Sequence, residues 1–300
     1  MLPSLKRYYL LDVFTATPLA GNQLAVFLDA DGMETERMQA LACELNLAET
    51  VFVGRAQGEH RFSMRIFTRE RELPFAGHPT VGAAQLLAAQ GLVDASQISA
   101  EKPLILQVPA GALAITFEGP LARFRAAQPV EVGASSLGHA AAAGLAGLEL
   151  DEIASDPVQA SCGLAFHLVP LVSRQALARL TLDSAEWARH VSPSGIEQAY
   201  FYVQDGGTIE ARMFSHHRGA FCEDPATGSA AAALAGYLGG EAKANRNDWR
   251  IRQGEAMGRP SEIHARASRD ENGKVTVEIA GQAVLVGEGA FYPNASRGEA

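Results

Sequence analysis

Two short stretches restrict this chain more than anything else in it. Pro79–Gln90 and Ala226–Leu238 read as helices, yet neither carries a charged residue or shows a polar face. A helix that is apolar all round must be buried on every side. At 12 and 13 residues, both fall short of the ~20 that cross a hydrocarbon core. What remains is a helix enclosed by strongly curved sheet, with its Gly and Ala residues letting the strands approach closely. Gly91 and Gly239 follow as C-terminal stops.

The two helices also occupy matching places. Arg65-Ile66-Phe67-Thr68 leads to Phe75-Ala76-Gly77-His78-Pro79-Thr80-Val81-Gly82, and Arg212-Met213-Phe214-Ser215 leads to Phe221-Cys222-Glu223-Asp224-Pro225-Ala226-Thr227-Gly228. His78 to Gly82 and Asp224 to Gly228 have equal spacing, which sets the repeat at 146 residues, about half of the 300. The expected fold is α+β, with two pseudo-symmetric lobes, each a curved sheet wrapped around a central apolar helix. The expected lobes are residues 1–126 and 127–300, with a last strand near 283–292 free to return to the first. Short strand-like runs outnumber helices throughout, and neither GxGxxG, GxxxxGK[ST] nor HExxH occurs.

Helix starts leave backbone N–H groups unpaired and carry partial positive charge. Pro79 and Pro225 suit first turns. If the halves are related by a pseudo-two-fold axis, the two starts form an anion cradle for a carboxylate substrate where the halves meet. His78 and Asp224 stand at equivalent places just before those starts. Asp224 alone reads equally well as an N-cap, and a lone histidine is commonly structural. Ser229 reads either as a local hydrogen bond or as a hold on a substrate oxygen.

Bulk properties narrow the partners. The net charge of −9 and the lack of Lys/Arg clusters argue against nucleic acid. No run is long enough for a membrane span, and no signal peptide is expected, because Asp12 interrupts the first apolar run. Cys43, Cys162 and Cys222 are an odd, scattered set, which points to a reducing, cytoplasmic setting and to buried structural thiols. The sequon Asn294-Ala295-Ser296 is therefore expected to be chance. His216-His217 is not expected to bind metal, since strand neighbours face opposite ways.

At this point a resemblance becomes specific. Asp12-Val13-Phe14, Gly21-Asn22, Leu24-Ala25-Val26-Phe27, Asn46-Leu47-Ala48-Glu49-Thr50-Val51-Phe52-Val53, Glu72-Leu73-Pro74-Phe75-Ala76-Gly77-His78-Pro79-Thr80 and Glu223-Asp224-Pro225-Ala226-Thr227-Gly228-Ser229-Ala230 resemble the blocks of the PhzF-like (phenazine biosynthesis) family in family order. The resemblance implies the diaminopimelate epimerase-like fold, commonly a homodimer, and a cofactor- and metal-free isomerase that moves a proton between carbons. It implies Glu49 as the proton-moving base; from its own surroundings Glu49 reads as a surface acid at a helix end. It also implies that His78, Asp224 and Ser229 line the pocket, while Gly77 and Gly228 let the backbone approach the ligand. Ala48 and Gln23 depart from the residues common in the family, which leaves the substrate open beyond a small carboxylate. Burial and a neighbouring Asp224 would raise the Glu49 carboxyl towards a useful pKa, with His78 and Asp224 sharing a second proton. A cysteine-type racemase or epimerase, and a non-catalytic binding protein on the same fold, are the alternatives.

Overall fold

The computed structural model describes residues 5–217 and 220–292; the sequon at Asn294 lies outside them. The chain divides into two compact units. The first comprises residues 5–19, 23–122 and 282–292, and the second residues 20–22, 123–217 and 220–281. The fold is mixed α+β and dominated by strands.

Strand pairing repeats from one unit to the other. In the first, Asn22–Phe27 runs parallel to Glu49–Ala56, which lies antiparallel to Arg61–Phe67. Arg61–Phe67 takes the short strand Glu72–Leu73 antiparallel and Leu104–Val108 parallel, and Leu104–Val108 turns back into Gly111–Glu118. In the second, Ala165–Pro170 runs parallel to Gln198–Asp205, itself antiparallel to Thr208–His217. Thr208–His217 takes Ala220–Asp224 antiparallel and Arg246–Gln253 parallel, and the latter turns back into Ser261–Arg269. The strand Ala283–Phe291 pairs antiparallel with Lys6–Val13 in the first unit.

Each unit surrounds one helix. Gly77–Ala89 lies against Lys6–Val13, Glu49–Ala56, Leu104–Val108 and Ala283–Phe291; Gly228–Glu241 lies against Val158–Ser161, Ala165–Pro170, Arg246–Gln253, Ser261–Arg269 and Val275–Gly281. This is the arrangement their uncharged sequences require. Close approach depends on glycine: a Cβ at Gly82 would come within 2.4 Å of Leu24 and 2.9 Å of Val13, and one at Gly239 within 2.4 Å of Ala267. Gly91, at φ +67, does end the first helix. Gly239 does not end the second, which runs on to Glu241.

The structure corrects the register of the repeat. Phe67 pairs with Glu72, and Phe214 pairs with Glu223. Arg65 forks onto Glu72 (2.7 and 2.6 Å) and lies 5.1 Å over the Phe67 ring. Arg212 does the same with Glu223 (2.8 and 2.8 Å), 4.9 Å over Phe214. The helices begin after Ala76 and after Thr227. The matching stretches are therefore Glu72-Leu73-Pro74-Phe75-Ala76-Gly77-His78 and Glu223-Asp224-Pro225-Ala226-Thr227-Gly228-Ser229, offset by 151 rather than 146. His78 corresponds to Ser229, and Asp224 to Leu73. Pro79 lies in the first turn as expected, whereas Pro225 precedes its helix. A longer turn after Phe214 than after Phe67 displaced the register read from the sequence.

Candidate active site

Glu49 is the first residue of the strand Glu49–Ala56, rather than the tail of a helix. The preceding helix, Thr35–Leu45, stops at Asn46, whose left-handed backbone (φ 56) turns the chain into that strand. His78 is the second residue of the helix Gly77–Ala89 and is buried. The two meet: His78 Nε2 lies 3.5 Å from Glu49 Oε2, with side-chain exposures of 7% and 18%.

The imidazole's state follows from its partners. The backbone of Gln23 pulls the imidazole up, as a nearby carbonyl does, and His78 Nε2 is buried without a hydrogen-bond partner. With the ring proton assigned to Nδ1, on the side of the Gln23 carbonyl, Nε2 keeps a lone pair. Burial pushes the imidazole down to about 3, against the smaller upward pull from Gln23. At neutral pH His78 is thus an uncharged acceptor facing Glu49.

Asp224 belongs to a polar cluster in the second unit. It ends the strand Ala220–Asp224. Its Oδ2 accepts from the Thr227 hydroxyl (2.5 Å), and its Oδ1 from Asn22 Nδ2 (2.8 Å), which also donates to the Ala226 carbonyl (2.9 Å). The N-cap reading of Asp224 fails: the cap position is Thr227, with no side-chain cap bond. Burial raises the Asp224 carboxyl to about 6, against the lowering effect of the Thr227 and Asn22 bonds. Gln253, at 1% exposure, bonds the Asp224 carbonyl (2.7 Å), and the fully buried Tyr200 donates to Gln253 (3.1 Å). Arg259 fixes the segment carrying Asn22 through the carbonyls of Ala20 (2.6 Å) and Gly21 (2.7 Å).

Sequence reading missed Asn22, Tyr200, Thr227 and Gln253 as parts of a site. For Gln253 there was a signal. Trp249, Ile251 and Gln253 share the buried face of one strand, and an amide ending such a row needs a reason to be there. Gly254 beside it was a second: its φ is +81, and a Cβ there would lie 2.4 Å from the Arg259 carbonyl oxygen and 2.6 Å from that of Pro225. Gly228 and Ser229 open the second helix as Gly77 and His78 open the first.

The thiols differ from expectation. Cys162 is buried, but Cys43 and Cys222 are exposed. In the corrected register Arg71 stands where Cys222 would need a partner cysteine. Among the described residues there is no group of three or more His, Cys, Asp or Glu placed to hold a metal ion. No helix among them is long and apolar enough to cross a membrane.

Comparison with known proteins bears on the whole chain. The family described as phenazine biosynthesis-like protein matches residues 11–289. An uncharacterized isomerase of Mesorhizobium japonicum is 36% identical over 302 residues, covering 96% of this chain and 99% of its own. The trans-2,3-dihydro-3-hydroxyanthranilate isomerase of Pseudomonas aeruginosa is 34% identical over 295 residues, covering 95% and 99%. The crystal structure of a PhzF-family protein from Bacillus anthracis superposes with a TM-score of 0.85 at 24% identity, covering 96% and 99%. A hydroxyproline epimerase from Agrobacterium vitis, solved with trans-4-hydroxy-L-proline, shares the fold at 11% identity (TM-score 0.61, covering 95% and 92%).

Proposed function

This chain belongs to the phenazine biosynthesis-like family and is an isomerase, and from that premise we propose that it moves a proton between carbons of a small carboxylate substrate, with Glu49 as the base that takes and returns it. The proposed reaction needs no cofactor. One observation carries the reading: the Glu49 carboxylate faces the bare lone pair of a neutral, buried His78 at 3.5 Å. A lone pair beside a carboxylate disfavours the anion. Once Glu49 has taken a proton, the same lone pair accepts its O–H. Glu49 can therefore take a proton from carbon and hold it against His78 until it is returned.

The sequence expectation that His78 shares an acidic proton is revised here. An imidazole pushed to about 3 does not donate as a cation at neutral pH. Asp224, raised to about 6, is the group proposed as the second acid or base. Gly77 in the first unit, and Gly228 and Ser229 in the second, are proposed as substrate-binding residues, each in the first turn of its own unit's helix.

The test is turnover in D2O of trans-2,3-dihydro-3-hydroxyanthranilate and of related small unsaturated or hydroxy acids. The proposal expects one deuteron at carbon in the product, read by mass spectrometry and NMR. Isomerisation that leaves every carbon-bound hydrogen in place, with deuterium only at heteroatoms and no slowing when the migrating position is deuterated, would refute carbon-to-carbon proton transfer.

A further inference from the structure

The hydrogen bonds around Asp224 have a direction. Gln253 lies between two backbone groups of fixed polarity: its Oε1 accepts from the Thr227 N–H (3.3 Å), and its Nε2 donates to the Asp224 carbonyl (2.7 Å). Turning the amide over would set donor against donor and acceptor against acceptor, so its orientation is settled. The Tyr200 hydroxyl donates to the same Oε1 (3.1 Å), and Nε2 also donates to Thr227 Oγ1 (3.0 Å). A hydroxyl owns one proton. Thr227 already accepts from Gln253, and it spends that proton on Asp224 Oδ2 (2.5 Å). Asn22 is oriented in the same way, its Nδ2 donating both to Asp224 Oδ1 and to the Ala226 carbonyl. Placing a proton between Asp224 and Thr227 would turn the threonine's own hydrogen away from its acceptor.

The internal repeat shows that the fold does not require this arrangement. By strand pairing, Val51 faces Ile66 as Tyr200 faces Met213. Leu73 pairs with Ile66 as Asp224 pairs with Met213. Ala76 precedes its helix as Thr227 does. Val108 follows Gln107, the partner of Ser63, as Gln253 follows Arg252, the partner of Glu210. The first unit thus builds the same strand, turn and helix with Val51, Leu73, Ala76 and Val108 in place of Tyr200, Asp224, Thr227 and Gln253. Four apolar residues suffice there. Burying a tyrosine hydroxyl and a glutamine amide instead carries a desolvation cost that packing alone does not call for.

We propose that Tyr200, Gln253 and Thr227 are positioning residues acting through Asp224: a one-way hydrogen-bond chain that orients its carboxylate and confines its exchangeable proton to the lone pairs that Thr227 and Asn22 leave open. The proposal deepens the reading above, since it gives Asp224 a defined face for proton exchange, and it rests on Asp224 being the second titrating group of the site. The charged and titratable groups around Asp224 within its unit include Tyr200, whose hydroxyl is driven to very high pKa by burial and then by the Asp224 charge, Glu223, and Arg259 on the segment that carries Asn22. Arg212 holds Glu223 on the opposite face of the strand. Loss of the Thr227 donor removes the larger of the two bonds that favour the carboxylate.

The test is the titration of Asp224 itself, followed by NMR in protein labelled with 13C at aspartate carboxyls and assigned with Asp224→Asn. Thr227→Val removes the hydroxyl at nearly constant shape, Thr227→Ser keeps it, and Tyr200→Phe removes the far end of the chain. The expected midpoint rises by about one pH unit in Thr227→Val. It stays within a few tenths of wild type in Thr227→Ser and rises by a smaller amount in Tyr200→Phe. A midpoint unchanged or lowered in Thr227→Val, or moved as far by Thr227→Ser as by Thr227→Val, overturns the proposal. Should Thr227→Val not fold, Tyr200→Phe decides alone: a raised midpoint supports the chain and an unchanged one overturns it. The titration needs no substrate, so failure of the proton-transfer reading at Glu49 leaves this result standing, and the converse.

Discussion

Replacing Asp224 by asparagine tests the energetics of the second unit through their pH dependence. The carboxyl stands at about 6 in the folded protein against an ordinary 3.8. A raised folded pKa means that the native state holds a proton which the unfolded chain has already released. That contribution to stability is fully present below pH ~4 and is lost as the pH rises through 6. At about 1.4 kcal/mol per pH unit the full effect approaches 3 kcal/mol, and residual solvent contact brings the expectation to about 2–3. Thr227 and Asn22 donate to different oxygens of Asp224, so asparagine sets an NH2 against one of these donors, at a cost of about 1–3 kcal/mol that does not vary with pH. The slope of the difference is therefore the diagnostic, not its absolute value. The depressed His78 imidazole destabilises both proteins alike as the pH falls from 6.5 towards 3, so it cancels in that difference. Urea unfolding can be followed in this unit alone, because both tryptophans, Trp187 and Trp249, lie in it. Wild-type stability relative to Asp224→Asn should fall by about 2–3 kcal/mol between pH 4 and pH 7 and then level off. A flat difference, or one that rises with pH, would refute the burial argument.

Other perturbations report on separate parts of the structure. Gly254→Ala places a Cβ against two carbonyl oxygens at a positive φ, and backbone cannot move aside as a side-chain tip can. It should cost about 2–4 kcal/mol in urea unfolding, and a loss below 0.5 would show that the Gly254–Pro225 contact is looser than described. Arg212→Lys keeps the charge but gives up the fork onto Glu223, and should cost about 1–2 kcal/mol in the same assay; no change would reduce the clasp to surface decoration. Exposed Cys43 and Cys222 should react rapidly with a thiol reagent at pH 8. Cys162 is buried, and burial pushes its thiol up to about 12, so it should react only on unfolding; three fast thiols would contradict this.

How much of this was legible in the sequence differs from feature to feature. The two uncharged helices announced their own enclosure, because no other environment satisfies them, and Arg65-Ile66-Phe67 against Arg212-Met213-Phe214 disclosed the repeat. The register was not legible. Spacing alone matched His78 to Asp224, whereas hydrogen-bonded pairing matches His78 to Ser229 and Asp224 to Leu73, and loop length is invisible to a spacing argument. Glu49 opened a strand that the sequence reading had not placed, since Glu49–Ala56 follows directly on a helix and its left-handed turn. Nothing in the sequence sets Tyr200 apart from its neighbours in the strand Gln198–Asp205. Its role appears only once the hydroxyl is seen to meet Gln253, a contact between positions 53 residues apart.

Glu49 remains the centre of the account, and Glu49→Gln tests it most directly. The substitution keeps the shape, removes the basic oxygen, and still offers an N–H to the His78 lone pair, so folding should survive it. Deuterium incorporation at substrate carbon should fall by about 10³-fold or more in kcat, with KM changed far less. Incorporation within about tenfold of wild type would mean that another group moves the proton.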